Sequence, residues 1–307
     1  MEKKYLISIV GPTAIGKTSK SIAIAESLNT EIISCDSRQF YKEMTIGTAV
    51  PDQQELKTVK HHFIQNISIF NQYNVGDYEK EALQLIEEKF KTNEFLCLTG
   101  GSGLYQNAVI KGLDYFPEVD KNIREELNGI FKNQGLQPLQ KQLEELDPEY
   151  HKIVDLNNPH RIIRALEICI GTSKPYSSYL KNRESNKRNF NSIKIGLTAE
   201  RKVIYDRIEI RVDNMIESGL IEEAKSLYPH RSLNALQTVG YKELFDFFDN
   251  KISLEKAIEE IKKNTRRYAK RQMTWFRKQD DIKWFNFEVP LDDILSYIHK
   301  KTRSTIS

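Results

Sequence analysis

Long apolar runs are missing from this chain. A membrane-spanning helix needs about 20 consecutive apolar residues, and the stretches here are far shorter, so no membrane association is expected. The first of them runs straight into a glycine-rich loop, which leaves no room for a signal peptide. Cysteine is scarce. Cys35, Cys97 and Cys169 are the three in 307 residues, each inside an apolar segment and without paired spacing. That pattern excludes a disulfide framework and reads as buried, reduced thiols in a cytoplasmic protein. No set of His, Cys, Asp and Glu has metal-ligand spacing. The adjacent pair His61-His62 falls on a predicted short strand, His61 to Ile64, where neighbours point to opposite faces and chelate poorly. A structural zinc is therefore not expected. Internal repeats are absent as well. The net charge of +3 decides nothing by itself.

What is present starts with Gly11-Pro12-Thr13-Ala14-Ile15-Gly16-Lys17-Thr18, which reads G-x-x-x-x-G-K-T. An apolar run from Tyr5 to Val10 precedes it, and Ser19 to Leu28 follows with Ile22, Ala23, Ala25 and Leu28 spaced for one helical face. Strand, glycine loop and helix together predict a phosphate cradle, in which loop N–H groups and the helix N-terminus face the anion. Lys17 reaches a terminal phosphate, and the Thr18 hydroxyl is placed to hold Mg²⁺. An ordinary glycine turn is the competing reading. The loop leaves its phosphates open: a nucleoside triphosphate is the default, and a diphosphate ester fits the same chemistry.

The next elements predict an open parallel sheet. Glu31 to Cys35 reads as a strand that delivers Asp36 and Ser37 to the edge where such sheets bind ligands. There Asp36 is either a cap or a partner of Mg²⁺ through water, or a carboxylate that takes a proton from a nucleophile. Asp77 is expected to cap a helix carrying Ala82, Leu83, Ile86 and Phe90. Glu94 to Thr99 is a further strand. It ends in Gly100-Gly101-Ser102-Gly103-Leu104-Tyr105, where a usual second NTPase motif would place an acidic residue. Glycines there suggest backbone close to a ligand with Ser102 presented to it, or merely a tight turn.

From about Phe116 to Asn191 strand-type runs disappear. Asp120 opens a helix that ends at Gly135, Pro138 opens another, and Asn158-Pro159 opens a third that stops at Gly171. Asn182 to Asn191 is a polar loop. The predicted organisation is an α/β core over 1–115 and 192–307 with an all-helical insertion over 116–191. Ile193 to Thr198 resumes the sheet. Arg207 and Arg211 then share a helical face at i, i+4 and suit an anion, although Glu209 and Asp213 allow plain surface pairing. Gly219 is expected to end that helix. Gln237 to Lys242 forms a turn. The last long helix runs from Ser253 to about Lys278, with Leu254, Ile258, Ile261, Tyr268 and Trp275 on its buried face. Between Lys262 and Lys278 it carries eight basic residues and no acidic one. With Tyr268, Trp275 and Phe276 interleaved, the stripe reads as a nucleic-acid footprint rather than a solvated face.

These stretches together resemble the tRNA dimethylallyltransferases, also called tRNA isopentenyltransferases. The matching motifs are G-P-T-A-x-G-K-T at Gly11–Thr18, D-S-x-Q at Asp36–Gln39 and G-G-x-G-L-Y at Gly100–Tyr105. They continue with N-P-x-R-x-x-R-A-L-E at Asn158–Glu167, R-I-x-x-R at Arg207–Arg211, V-G-Y-K at Val239–Lys242 and K-R-Q-x-T-W-F-R at Lys270–Arg277. They span nearly the whole chain in order. Ser102 stands where members often have threonine, and it keeps the hydroxyl.

The resemblance implies a phosphate-loop NTPase-like sheet and a cytoplasmic, monomeric prenyltransferase. It would move the dimethylallyl group of dimethylallyl diphosphate to N6 of the adenosine 3′ of the anticodon (position 37), in the anticodon stem-loop of tRNA. By the same resemblance Gly11, Thr13, Ala14, Ile15, Gly16, Lys17, Thr18 and Arg211 hold the diphosphate, with Mg²⁺ on Thr18. Asp36 and Ser102 act with Thr18 and Arg211 at the reacting centre. Asp36, Ser37, Arg38, Gln39, Ser102, Arg124, His160, Arg161, Arg164, Gln237, Gly240, Lys242, Lys270, Arg271 and Arg277 touch tRNA. A phosphate-loop small-molecule kinase and an adenine-nucleotide isopentenyltransferase are the alternative enzymes, and neither needs the basic C-terminal helix or the insertion. A non-catalytic RNA-binding protein would leave the loop and Asp36 without a task.

Overall fold

Tyr5–Val10 forms β1, and all six of its residues are buried. A strand covered on both faces has no polar side to show, which is why this run is apolar throughout instead of alternating. The computed structural model describes residues 3–180 and 188–304. After β1 come α1 (Lys17–Ser27), β2 (Ile32–Ser34), α2 (Gln53–Thr58), β3 (His61–His62), α3 (Val75–Lys89), β4 (Phe95–Thr99) and α4 (Gly103–Lys111). The helices α5 (Lys121–Gln134), α6 (Gln137–Leu146), α7 (Pro148–His151) and α8 (Pro159–Thr172) follow. The chain then continues with β5 (Asn191–Thr198), α9 (Arg201–Glu217), α10 (Leu220–Leu227), α11 (Tyr241–Phe248), α12 (Leu254–Phe276), β6 (Ile282–Asn286) and α13 (Leu291–Ser304).

The six strands form one parallel sheet in the order β3-β2-β4-β1-β5-β6. Alternate residues of β1 serve opposite faces. Ile7 and Ile9 pack with Ile24, Ile195, Ile208 and Tyr241 on one side, while Leu6 packs with Ile33, Leu96, Tyr78 and Phe40 on the other. Because all strands run the same way, their carboxyl ends lie along one edge. Gly11, Cys35-Asp36 and Gly100 follow β1, β2 and β4 there, which is the side on which open α/β sheets bind ligands. Among the described residues no helix is long and apolar enough to cross a membrane.

The chain divides into two units, Met1–Ile110 with Arg188–Ser307, and Lys111–Lys187. The second unit is helical. Its core is built on Leu127, Leu139, Leu143, Ile162, Ile163 and Leu166. The Asp120 side chain caps α5 by accepting from the Asn122 N–H at 2.9 Å, and Asn158 caps α8 from Arg161 N–H at 3.2 Å.

Several expected boundaries move for local reasons. Asn74, not Asp77, caps α3: its carbonyl oxygen accepts from Gly76 N–H at 2.8 Å, and Asp77 returns a bond to the Asn74 N–H at 2.9 Å. Helix α8 runs past Gly171 to Thr172 and stops on Ser173 at φ 56°. Gly171 is small because Val119 presses on it: a Cβ there would stand 2.5 Å from that side chain. Gly219, at φ 99°, ends α9 as expected, following the cap Ser218 with its N–H bonded back to Ile216 O at 3.1 Å, and it opens α10 at the same time. Trp275 is 39% exposed, and the fully buried aromatic of α12 is its neighbour Phe276. The polar loop expected over Asn182–Asn191 lies largely outside the described residues.

Candidate active site

The loop after β1 takes a conformation that few sequences allow. Gly11 has φ 149°, Ala14 φ 63° and Gly16 φ 97°. At Gly11 a Cβ would meet the Leu197 carbonyl oxygen at 2.5 Å, so the loop lies directly on β5. Gly16 precedes α1 and has no side chain to cap it, which leaves the first N–H groups of the helix available to an anion. The strained Ala14 is held from outside: Arg207 Nε donates to its carbonyl at 2.7 Å, and the same guanidinium lies 5.0 Å over the Phe287 ring. Lys17 Nζ donates to the Pro12 carbonyl at 2.8 Å.

A cleft of about 890 Å³ opens in front of this loop, lined among others by Thr13, Ala14, Gly16, Lys17, Thr18, Asp36, Arg207 and Arg211. Burial pushes the Lys17 ammonium down to about 8; the Asp36 carboxylate pulls it back up, and Arg211 pushes it further down. Arg211 is likewise lowered by burial and raised by Asp36. Two cations and one carboxylate thus share a poorly solvated space, an arrangement that favours a dianionic or trianionic guest. Glu209 and Asp213 do not neutralise these arginines. They pair with α12 instead, Glu209 with Arg266 at 2.8 Å and Asp213 with Lys262 at 2.6 Å.

Asp36 reaches the cleft because β2 and β4 end side by side. A Cβ on Gly100 would lie 2.7 Å from Asp36 N, so only glycine permits that approach. Asp36 Oδ1 accepts from the Arg38 N–H at 3.2 Å and leaves the other oxygen free of protein hydrogen bonds among the described residues. Ser102 Oγ accepts from Ser37 N–H at 3.2 Å and lies 3.0 Å from Ser37 Oγ. Tyr268 adds a third hydroxyl. Burial first and the Asp36 charge second raise it above the phenol range, against a hydrogen bond with Ser102.

A second cleft, of about 740 Å³, is lined by Ser37, Arg38, Gln237, Gly240, Lys242 and Arg271 among others. Thr13, Asp36, Arg211, Met215 and Tyr268 line both clefts. Two expected contact residues are already engaged in the protein. Arg38 Nη1 donates to Asn234 O at 3.0 Å and Ala235 O at 2.9 Å, and Gln39 Nε2 donates to Thr48 O at 3.2 Å and Ala49 O at 2.8 Å. Both therefore shape the walls.

The basic helix is less uniform than its composition. Acidic partners come from outside the stripe: Lys262 and Arg266 pair across to α9, and Lys263 pairs with Glu260 at 2.9 Å. Arg267, Lys270, Arg271, Thr274, Trp275 and Lys278 form one exposed surface patch, and Arg277 is exposed beside it. In the helical unit His160 and Arg161 are exposed. Arg124 and Arg164 converge on the buried Glu167 at 2.9 and 3.1 Å, and Arg164 lies 5.4 Å over the Phe116 ring.

One contributor, Glu223, carries no motif-level signal. Glu223 accepts from Thr45, Ile46 and Gly47 N–H at 3.0, 2.8 and 2.9 Å and from the Tyr241 hydroxyl at 2.6 Å. It thereby fixes the loop that faces the phosphate cradle. Gln272 is the glutamine of K-R-Q-x-T-W-F-R and Tyr268 an aromatic of the basic stripe, and neither is given a place at the reacting centre by the sequence. For Mg²⁺ the donor set is a single hard hydroxyl, Thr18, with Asp36 nearby. That set suits an ion held mainly by phosphate oxygens and water, and no cluster of three His, Cys, Asp or Glu among the described residues could hold a metal alone.

A family model described as IPP transferase matches residues 39–279. A tRNA dimethylallyltransferase of Flavobacterium johnsoniae is 57% identical over 309 residues, covering 99% of this chain and 100% of that protein. The full-length tRNA isopentenylpyrophosphate transferase of Bacillus halodurans superposes with TM-score 0.73 at 40% identity, over 99% of this chain and 98% of that one. A eukaryotic dimethylallyltransferase acting on tRNA superposes with TM-score 0.77 at 27% identity, over 93% of this chain and 74% of its own.

Proposed function

The chain belongs to the IPP transferase family, and on that premise we propose a division of labour between its two clefts. It is a prenyltransferase that transfers a dimethylallyl group onto tRNA. In our reading dimethylallyl diphosphate enters the cleft of the phosphate loop, and the N6 amine of the adenosine 3′ of the anticodon enters through the second. The observation that carries this is the shared wall: Asp36, Arg211, Thr13 and Tyr268 border both spaces, so guests from the two sides meet at Asp36.

The chemistry follows from what lies there. An exocyclic adenine amine is a weak nucleophile because its lone pair is delocalised into the ring. Asp36 accepts a hydrogen bond from that amine and takes its proton as the new C–N bond forms. The C–O bond to diphosphate breaks at the same centre, and Lys17, Arg211 and the N–H groups of the loop receive the charge that develops on the departing oxygens. Ser102, tied to Ser37, holds the amine side of the centre. Mg²⁺ bound at Thr18 would add neutralisation of the leaving diphosphate. The target base lies in a folded stem-loop and has to turn out of its stack to reach Asp36. The exposed patch of Lys270 and Arg271, with Arg277, Gln237 and Lys242, meets the RNA backbone. His160 and Arg161 do the same from the helical unit, in a cytoplasmic monomer.

Incubation with tRNA and labelled dimethylallyl diphosphate, followed by nucleoside analysis, tests this reading. We expect label on N6 of one adenosine per tRNA, next to the anticodon. Label elsewhere, or on free adenine nucleotide in preference to tRNA, would overturn it.

A further inference from the structure

Helix α12 touches the active site with one narrow face. Tyr268, Gln272 and Trp275 follow at i, i+4 and i+7, so they stack along one side of the helix. All three lie on the Gly101–Gly103 stretch: a Cβ on Gly101 would stand 3.6 Å from the Tyr268 hydroxyl and 2.4 Å from Gln272 Nε2, and one on Gly103 would stand 2.2 Å from Trp275 Nε1. Gln272 is the buried member, 5% exposed, and it uses both ends of its amide. Its Nε2 donates to the Gly101 carbonyl at 2.9 Å, and its Oε1 accepts from the Thr13 N–H of the phosphate loop at 2.8 Å.

We infer that Gln272 is a positioning residue, which sets the phosphate loop and the Ser102 loop against each other so that the leaving group and the attacked amine stay in line. The inference rests on the two-substrate reading above. Its physical basis is that the two loops carry opposite halves of the reaction and no other side chain bridges them by hydrogen bonds at both ends among the described residues. Thr13 N–H, which the loop motif would otherwise offer to phosphate, is assigned to the protein. The diphosphate is left with the N–H groups further along, from Ala14 into α1. A buried amide bonded at both ends has one orientation, because turning it over would set NH₂ against Thr13 N–H and oxygen against the Gly101 carbonyl. The loops are thereby keyed to one distance, and a misplacement of about 1 Å in such a centre costs about a hundredfold in rate.

Two variants test it. Gln272→Met keeps length and volume and removes both bonds. Gln272→Glu keeps the acceptor for Thr13 N–H and loses the donor to Gly101. For Gln272→Met we expect kcat to fall by about ten- to a hundredfold and binding of inorganic diphosphate to weaken by about tenfold, with the KM for tRNA within about twofold of wild type. For Gln272→Glu we expect a loss at about pH 8 that shrinks toward about pH 6. Burial beside a carbonyl raises that carboxyl, and once protonated it regains a donor. A purely structural role would move the melting temperature but not produce this acid rescue. Met and Glu variants within about twofold of wild-type kcat, or a Glu variant with the wild-type pH profile, would overturn the inference. If wild type itself transfers no prenyl group, the reaction reading fails separately, and inorganic diphosphate binding by Gln272→Met still decides the role of Gln272: an unchanged affinity rejects it.

Discussion

In the proposed reaction the chemistry turns on Lys17 and Asp36, and the two are electrically tied. A lysine held down at about 8 by burial penalises the folded state while charged; that penalty is present below about pH 8 and relieved as pH rises toward the ordinary 10.5. Function runs the other way, because the diphosphate needs the charge. We predict that kcat/KM for dimethylallyl diphosphate falls with unit slope above about pH 8, while kcat holds to higher pH, since the bound anion restores the proton. Lys17→Arg should flatten that limb at reduced activity; the same limb in the Arg variant would show that another group titrates. Asp36→Asn keeps size and hydrogen-bond acceptance but not basicity. Its kcat should fall by about a hundred- to ten-thousandfold with little change in tRNA affinity. Because the Asp36 charge also raises Lys17, the alkaline limb of kcat/KM in that variant should move to lower pH. Restoration of its rate by added Mg²⁺ would instead assign Asp36 to the metal.

Helix α12 is where composition and structure part. Its basic run is visible in the sequence, but two acidic partners sit on α9, about fifty residues earlier, and pairing at that distance leaves no local pattern. We therefore predict a split within one stripe. Lys270→Ala, Arg271→Ala and Arg277→Ala should each lower the salt slope of tRNA binding by about one, and Lys262→Ala and Arg266→Ala should leave it unchanged. Equal effects from both groups would mean that the α9 pairs open in the complex. Locality likewise separates what is legible in the sequence from what is not. The loop from Gly11 to Thr18, the strand before it and the helix after it are local, so periodicity and glycine spacing predict them. Asp36, Ser102 and Arg211 follow once the sheet edge is placed. Glu223, and the bridging role of Gln272 within its motif, are not legible, because most of their partners are main-chain N–H and C=O groups of distant loops, which carry no side-chain signature. Glu223→Gln would face an amide NH₂ toward donors at Thr45–Gly47, a loss of about 1–3 kcal/mol. We expect a melting temperature several degrees lower by calorimetry, and an unaltered one would show that the loop stands without that carboxylate.

At the scale of the whole chain, the helical unit is an excursion from a core that closes on itself. The core leaves at Ile110 and resumes at Arg188, and these two points are stapled together within the core. Arg188 Nε donates to the Val109 carbonyl at 2.8 Å, Nη2 donates to Ala108 O at 2.7 Å, and Nη2 also pairs with Glu79 at 2.6 Å. The last turn of α4 is thus capped by the first described residue of the returning chain. β5 takes its place beside β1 within the core, where Tyr5 pairs with Asn191. The core keeps its sheet, both clefts and α12. The excised unit takes its own apolar cluster with it. We predict that a chain in which a short glycine linker replaces 111–187 folds cooperatively and binds inorganic diphosphate within about twofold of the full protein. Its tRNA affinity at low salt should fall by about tenfold or more, because the exposed His160 and Arg161, proposed above to meet the RNA backbone, leave with the unit. Arg188→Ala in the shortened chain should then destabilise it more than the same change in the full protein, because the linker relies on that staple. A shortened chain that folds and keeps full tRNA affinity would place the RNA contacts in the core alone. One that fails to fold with Arg188 intact would show that the helical unit is needed to build the sheet.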